Sequence, residues 1–333
     1  MVKRHRSDPL TFGSACPGLC SELFAASLMG LEVRPVFACD CDRHATTLCH
    51  HLWSHDMYFD NVFDVNFVKN APTVDFFLAG FPCQPFSVQG CHLGTADPSN
   101  GTVIYKLLEY ISKKTPRTFV LENVKGLVNQ HPETLFEIMK YLRGLKIMGR
   151  PVYTVLWACL NAKNFGLPQN RERVLVVGLM NEFKIAEFVW PVQMQPLKTF
   201  IDMKDMGNSS NLRNLNRTEL GNLFESYKKI KDRGGCPSKD HYILNVGGTS
   251  PHYNLDYSPC LTRSRCGSQG YWLSWLKRKM KVKEMWALQG LPKRSFPKGV
   301  LMDNQLGQII GNAIPVTLLA KVMSSLFEAC PLR

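Results

Sequence analysis

Short apolar runs rich in β-formers alternate with stretches whose apolar residues recur at helical spacing through the first 150 residues. The runs are residues 34–39, 74–79 and 118–121, and the amphipathic stretches are 20–29, 43–53, 102–112 and 132–145. This alternation predicts a doubly wound, mainly parallel sheet, because parallel neighbours need a crossover element between them. Two further runs, 152–160 and 174–179, are separated by a polar loop bearing Gly, Pro and Asn that is too short for a crossover helix. They are expected to pair antiparallel at one edge. After Trp190-Pro191 the pattern dissolves into Asn, Ser, Gly and Lys with scattered apolar residues, which predicts a small irregular lobe. Residues 309–329 are again apolar at helical spacing after Pro315, and this helix is expected to return to the first domain. The expected organisation is therefore 1–190 with 300–333 as one domain and 191–299 as a second lobe. No apolar run approaches the roughly 18 residues that span a bilayer.

Charge changes this picture. The 333 residues carry a net charge of +13, but residues 1–190 hold 19 basic and 17 acidic side chains, whereas 191–333 hold 21 and 10. A cationic second half favours a polyanion such as nucleic acid over a small metabolite, since clustered cations gain from counterion release on phosphate. The run Lys277 to Lys283 is either a row of phosphate clamps or a solvated face, and Arg263 and Arg265 lie in a small-residue segment suited to a groove or a turn. The composition, 45% apolar and 20% charged, excludes a disordered tail or a collagen-like fibre. The basic amino end is not followed by an apolar h-region, so no secretory signal is read and the chain is expected inside a cell. Twelve cysteines are then expected as thiols. The densest group, Cys39, Cys41, Cys49, His50 and His51, lacks zinc-knuckle spacing, and no metal site is expected.

The sharpest chemical feature is Ala79-Gly80-Phe81-Pro82-Cys83-Gln84-Pro85-Phe86-Ser87, directly after a buried strand. Catalysts in open α/β sheets sit beyond the carboxyl ends of strands. Cys83 there is a candidate nucleophile, with a buried loop cysteine as the plainer reading. Glu122-Asn123-Val124 ends the next strand and would bring a carboxyl group to the same sheet edge. Gln169-Asn170-Arg171-Glu172-Arg173 precedes the last strand and offers guanidinium forks to that face.

Together these residues resemble the DNA cytosine-5 methyltransferase family, in the family's own motif order and over almost the whole chain. Pro82-Cys83-Gln84 is similar to its Pro-Cys nucleophile loop, Glu122-Asn123-Val124 to its Glu-Asn-Val element, and Gln169-x-Arg171-x-Arg173 to its Gln-x-Arg-x-Arg element. Glu284 through Gln289-Gly290-Leu291-Pro292 resembles its Arg-Glu…Gln-Gly-Phe-Pro segment, and Gly311-Asn312-Ala313-Ile314-Pro315 its closing Gly-Asn motif.

The resemblance implies a Rossmann-like class I methyltransferase sheet, mostly parallel with an antiparallel edge pair, plus a target-recognition lobe over 191–299 that contacts nucleic acid. It implies methyl transfer from S-adenosyl-L-methionine, leaving S-adenosyl-L-homocysteine, to C5 of a flipped cytosine in duplex DNA. Cys83 would add to C6, Glu122 would act at N3, and Arg173 would contact O2 with Arg171 in support. The cofactor residues it implies are Ser14, Cys16, Gly18, Leu19, Asp40 for the ribose, Cys41 beside the adenine, Asp64 and Val65 at the adenine amino group, Gly80, Pro82, Asn312, Ala313 and Ile314. Where the family has Phe-x-Gly-x-Gly-Gly, two glycines become Ala15 and Pro17 and Phe12 is displaced by one; Asn100 stands where the family often has arginine. Two alternatives share the motifs: a transfer-RNA cytosine-5 methyltransferase of the same fold, whose Cys-Phe-Thr feature is not found, and a catalytically inactive regulatory paralogue. The presence of Cys83, Glu122 and Arg173 together weighs against the second. The expected compartment is the nucleus, or the bacterial cytoplasm for a prokaryotic chain.

Overall fold

The structure, a computed structural model, describes residues 9–82, 102–193 and 212–332. The described chain forms two compact units. The first takes its residues from 1–160, 172–192 and 319–333, and the second from 161–171 and 193–318. One division, after Val192, lies two residues beyond the expected lobe start at 191, and the second unit also takes 161–171 and residues up to 318.

The first unit is built on β1 (Leu10–Ala15), β2 (Val33–Cys39), β3 (Met57–Phe59), β4 (Phe76–Gly80), β5 (Thr118–Val124), a two-residue hairpin of β6 (Lys146–Ile147) and β7 (Arg150–Pro151), β8 (Tyr153–Asn161) and β9 (Glu172–Met180). Its helices are α1 (Ser21–Leu28), α2 (Arg43–Leu52), α3 (Val65–Asn70), α4 (Val103–Lys114), α5 (Gly126–Asn129) and α6 (Pro132–Gly144). Seven strands form one sheet in the order β3-β2-β1-β4-β5-β9-β8. The pairs from β3 to β5 are parallel and β9 runs antiparallel to β5, giving the mainly parallel sheet with an antiparallel edge that the pattern predicts.

Two of the crossover helices are capped by a side chain at their start. Asp42 caps α2 by accepting from the His44 and Ala45 amides, and Asp64 caps α3 by accepting from Asn66, which satisfies amides that have no partner within the helix. Strands covered on both faces read as continuous apolar runs, as Phe76-Phe77-Leu78-Ala79 does. The rings of Phe37, Phe67, Phe77 and Tyr110 pack together on one face, with centroids 4.5–6.2 Å apart. Burying each such ring contributes roughly 2–3 kcal/mol.

The second unit is more regular than its sequence suggests. It holds α7 (Arg217–Asp232), β10 (Tyr242–Asn245), β11 (His252–Leu255), α8 (Arg263–Gly267), β12 (Tyr271–Leu273), β13 (Arg278–Lys279), α9 (Val282–Leu288) and α10 (Asp303–Asn312). The strands form a separate sheet, β11-β10-β12-β13. Asn216 and Glu219 close a reciprocal capping box on α7, and Leu215, Leu223, Leu244, Val246 and Trp272 make the local core. Strands of two to four residues are too short to display a two-residue period, so the expected irregular lobe conceals this sheet.

The last helix, α11 (Val316–Ala329), returns to the first unit at Leu319. There Phe327 packs on Phe12 and Phe76, and the Ala329 carbonyl accepts from the Ile185 amide. The segment Asp303–Ala329 is long and apolar enough, by length and composition, to cross a membrane, which the sequence reading did not anticipate. Its helix is interrupted at residues 313–315 and 72% of its most apolar window is buried, the signature of a core element.

Candidate active site

Strand register brings the expected chemistry of the first unit to one sheet edge. Ala15 at the end of β1 lies opposite both Cys39 at the end of β2 and Ala79, and Gly80 at the end of β4 lies opposite Glu122. The segments that follow β1, β2 and β4 and the last residues of β5 therefore leave the sheet side by side, where open α/β sheets bind ligands. Cys83 lies outside the described residues. The chain reaches it through Phe81, whose carbonyl accepts from Asn123 Nδ2 at 3.3 Å, and through half-buried Pro82. Asn123 of the Glu-Asn-Val element thus ties the start of the Cys83 segment to β5.

Glu122 and Arg173 form the charged pair of this edge. Val124 pairs with Arg173 across β5 and β9, and Arg173 Nε donates to Glu122 Oε1 at 2.8 Å, each side chain 9% exposed. Arg173 also donates to the Glu172 carbonyl at 2.7 Å. A guanidinium on a nearly buried carboxylate fixes that group's orientation while preserving its charge.

On the neighbouring strands, Asp40 follows Cys39. Its Oδ2 accepts from the Gly18 amide and its Oδ1 from the Asp42 amide, both at 3.0 Å. Burial, against those two amides, raises its carboxyl above the usual value. Gly18 sits at φ +60°, where glycine carries no steric penalty, while Cys16 and Cys20 hold left-handed φ values of +53° and +59° despite their side chains. The tight turn that glycines would make is made here with one glycine and two strained cysteines. Ser14 and Leu19 are buried, Cys41 is exposed, and Asp64 and Val65 stand exposed at the start of α3. Glu22 in α1, which sequence reading passed over, is 1% exposed, and burial lifts its carboxyl to about 7. A lone acid inside the apolar stretch 20–29 was the available signal.

The remaining expected residues fall in the second unit, where they interlock. Arg171 is fully buried and donates to the Gly311 and Ala313 carbonyls at 3.0 and 2.8 Å, and to that of Leu261. Gln169 donates to the Leu288 carbonyl at 2.9 Å and accepts from the Leu261 amide at 3.2 Å. Gln289 donates to the Ile310 carbonyl at 2.7 Å. Gly311 is glycine because a Cβ there would lie 2.5 Å from the backbone of Thr262 and Arg263, so α8 and α10 could not approach. Asn312 is exposed, while Ala313 and Ile314 are buried.

The basic run divides. Arg278 is buried in a bidentate pair with Glu284, at 2.6 and 2.9 Å, and Lys279 pairs with Glu219 at 2.7 Å. Lys277 and Lys281 are exposed. Arg263 and Arg265 belong to α8 and are half-buried, so the expected loop is a helix packed on α10.

None of the ten described cysteines is in a disulfide. Among the described residues, the cysteine and histidine group that comes together is Cys20, Cys49 and His55, not the one read from sequence proximity.

Residues 21–328 match the model of the C-5 cytosine-specific DNA methylase family. The chain is 33% identical over 290 residues to the type II methyltransferase M.NgoBI of Neisseria gonorrhoeae, covering 82% of this chain and 85% of that protein. It is 29% identical over 298 residues to M.HaeII of Haemophilus aegyptius, covering 84% and 87%. In fold it is similar to the Entamoeba histolytica methyltransferase EhMeth, with a TM-score of 0.64, 14% identity and coverage of 97% and 99%. It is also similar to a mutant of Spodoptera frugiperda DNMT2, with a TM-score of 0.62, 15% identity and coverage of 96% and 99%. The two relatives by sequence are bacterial and lend no support to the nuclear placement expected from the sequence.

Proposed function

The chain belongs to the C-5 cytosine-specific DNA methylase family as a DNA (cytosine-5) methyltransferase, and from that premise we propose that it transfers a methyl group from S-adenosyl-L-methionine to C5 of a flipped cytosine through a covalent bond from Cys83 to C6. The observation that carries this reading is the shared strand edge, where Gly80, leading to Cys83, lies opposite Glu122, and Arg173 holds the Glu122 carboxylate at 2.8 Å.

C5 of cytosine is a weak nucleophile. The Cys83 thiolate adds to C6, and the electron pair of the C5–C6 double bond moves through the ring toward N3. Glu122 places its carboxyl group at N3: it takes up a proton as the base binds, gives it to N3 and so identifies the base, and Arg173 holds the carboxylate that re-forms and reaches O2. C5, now enamine-like, would take a sulfonium methyl as its carbon–sulfur bond breaks. Loss of the C5 proton to water, return of the N3 proton to Glu122 and expulsion of the thiolate then restore the aromatic ring. Because C5 and C6 are inaccessible in a stacked duplex, the cytosine is flipped out of the helix.

The residues between β1 and α3 fit the methyl donor. Asp40 holds the Gly18 amide with one oxygen and the Asp42 amide with the other, and each oxygen keeps a second lone pair for a ribose hydroxyl. Cys41, Asp64 and Val65 are exposed beside them, for the adenine. Cys16, Leu19, Gly80 and Pro82 border this edge, and we assign Ser14 to the same set; Asn312, Ala313 and Ile314 we assign to the cofactor from the family's closing motif alone. S-adenosyl-L-methionine, when bound, supplies the electrophilic sulfonium methyl and leaves as S-adenosyl-L-homocysteine. Arg171 supports the reaction at a distance, by fixing the backbone that carries Gly311 and Ala313. Residues 191–299, with their share of the basic half, are the target-recognition part, and the partner is intracellular DNA.

Transfer of tritiated methyl groups to duplex DNA and to transfer RNA, followed by bisulfite sequencing of the DNA, tests the reading. Label on DNA at C5 of cytosine is expected. Label on transfer RNA alone would move the substrate, and label on neither, with cofactor bound, would mark an inactive chain.

A further inference from the structure

Beneath the loop that carries Gly18, a cluster of side chains has no part in the methyl-transfer chemistry. Cys20 precedes α1 and Cys49 lies in the last turn of α2, both buried, and their sulfurs stand 2.8 Å apart, inside van der Waals contact. His55 Nδ1 is 3.8 Å from Cys49 Sγ and 2.9 Å from Tyr58 Oη, and the Tyr58 hydroxyl donates to the Trp53 carbonyl at 3.1 Å. The His55 ring thus lies between the Cys49 sulfur and the Tyr58 hydroxyl. Two thiolates on tetrahedral zinc stand about 3.8 Å apart, the spacing set by zinc–sulfur bonds near 2.3 Å, wider than the 2.8 Å between these two sulfurs. The cluster is built for sulfur–sulfur chemistry.

We propose that Cys20 and Cys49 are a redox pair, two thiols that a peroxide joins into a disulfide inside the folded first unit, fastening the Gly18 loop to α2. The two thiols are unequal. The hydrogen bond from Cys20 holds the Cys49 thiol below its usual range in spite of burial, with help from His55, whereas burial pushes Cys20 well up. Cys49 is therefore the attacking thiolate and Cys20 the resolving thiol. Cys49 sulfur bonds to one peroxide oxygen as the O–O bond breaks, releasing hydroxide and leaving a sulfenic acid. Cys20 sulfur then displaces that oxygen as a second hydroxide. The protons lost from the two thiols convert both hydroxides to water, so two thiols and one peroxide become one disulfide and two waters. Opening of the last turn of α2, where His50 and His51 are already exposed, admits an oxidant of this size.

Cys20 keeps a left-handed φ of +59° beside Gly18, a place where glycine would be unstrained, and its side chain is what the cluster uses. The Cys20 amide donates to the Pro17 carbonyl at 2.9 Å, so the bond would brace the turn that presents Gly18 to Asp40.

The test treats the full chain with hydrogen peroxide, alkylates the remaining thiols and maps the peptides by mass spectrometry. The expected result is one linked pair of peptides carrying Cys20 and Cys49, two hydrogens lighter than the pair of thiols and restored by dithiothreitol. The midpoint of thermal unfolding should rise on oxidation and fall back on reduction, because the bond restricts the unfolded chain. Cys20→Ala and Cys49→Ala should each abolish the link, and Cys41→Ala should keep it. Separate alkylation of both cysteines after peroxide, sulfinic acid on Cys49 with Cys20 still free, or zinc that survives dialysis and blocks alkylation of both would each overturn the proposal. None of these readouts involves methyl transfer, so failure here is distinguishable from failure of the catalytic reading.

Discussion

Arg171 and Arg173 stand two residues apart in one short motif, yet they belong to different units and sit in opposite kinds of surroundings. Arg173 lies at the polar edge of the first unit, pairing its guanidinium with the Glu122 carboxylate at 2.8 Å. Arg171 is fully buried in the second unit, where three backbone carbonyls receive it. The first region uses a nearly buried ion pair to orient a carboxylate; the second uses a charge to hold helices and loops together. The fold divides one short motif between an ion pair at the first unit's sheet edge and an anchor inside the second unit.

The comparison breaks most sharply at these two arginines. Arg171→Met should cost about 3–5 kcal/mol of stability, because it leaves buried carbonyls without a donor. Chemical denaturation of the second unit is the measurement. Arg173→Lys, which leaves Glu122 a cation but removes the guanidinium fork, should lose about 100-fold or more in kcat/KM for DNA with a far smaller change in the unfolding midpoint. If both variants unfolded alike, or both stayed folded and inactive, the division would be wrong.

Glu22 tests the first unit's interior. Its carboxyl titrates near 7 in the fold, against 4.5 for the ordinary group, so the folded state binds the proton more tightly. That stabilisation is fully present below about pH 4.5 and is lost as pH rises toward 7, by up to roughly 3 kcal/mol. Glu22→Gln should flatten the pH dependence of unfolding in that window, and an unchanged slope would place the titration elsewhere. Gly311→Ala tests the second unit's interior: a methyl group 2.5 Å from backbone should push α8 from α10 and cost about 1–3 kcal/mol in calorimetry.

The smallest effect concerns the basic run. Lys277→Ala with Lys281→Ala should flatten the dependence of log affinity for DNA on log salt, by about 0.9 for each phosphate contact removed. Lys279→Ala, which breaks a pair with Glu219, should lower stability and leave that slope unchanged. A slope change in the second variant alone would reverse the assignment.

The sheet and its helices were legible because their periods are long and regular, and the strand-end placement of Gly80 and Glu122 followed from topology. The second unit's sheet was not legible, since β12 and β13 are three and two residues long. Nor was the different fate of Arg171 and Arg173, because spacing shows that two arginines are close in sequence but not which carbonyls surround each. The basic run misled for a similar reason: Arg278 and Lys279 look like their exposed neighbours until Glu284, just past the run, and Glu219, far back in the chain, pair with them. Cys20 and Cys49 are 29 positions apart, and only the packing of α1 against the end of β2 and α2 reveals them as a pair.

The chemistry assigned to the first unit's edge rests on a covalent bond from Cys83 to the base, and that bond can be trapped. Duplex DNA carrying 5-fluorocytosine, incubated with the chain and S-adenosyl-L-methionine, should yield a protein–DNA adduct that survives denaturation and maps to Cys83, and Cys83→Ser should yield none, since a hydroxyl presents too little anion to add at C6. An adduct that persists in Cys83→Ser, or wild-type methylation of cytosine with no adduct on the fluorinated base, would contradict the account.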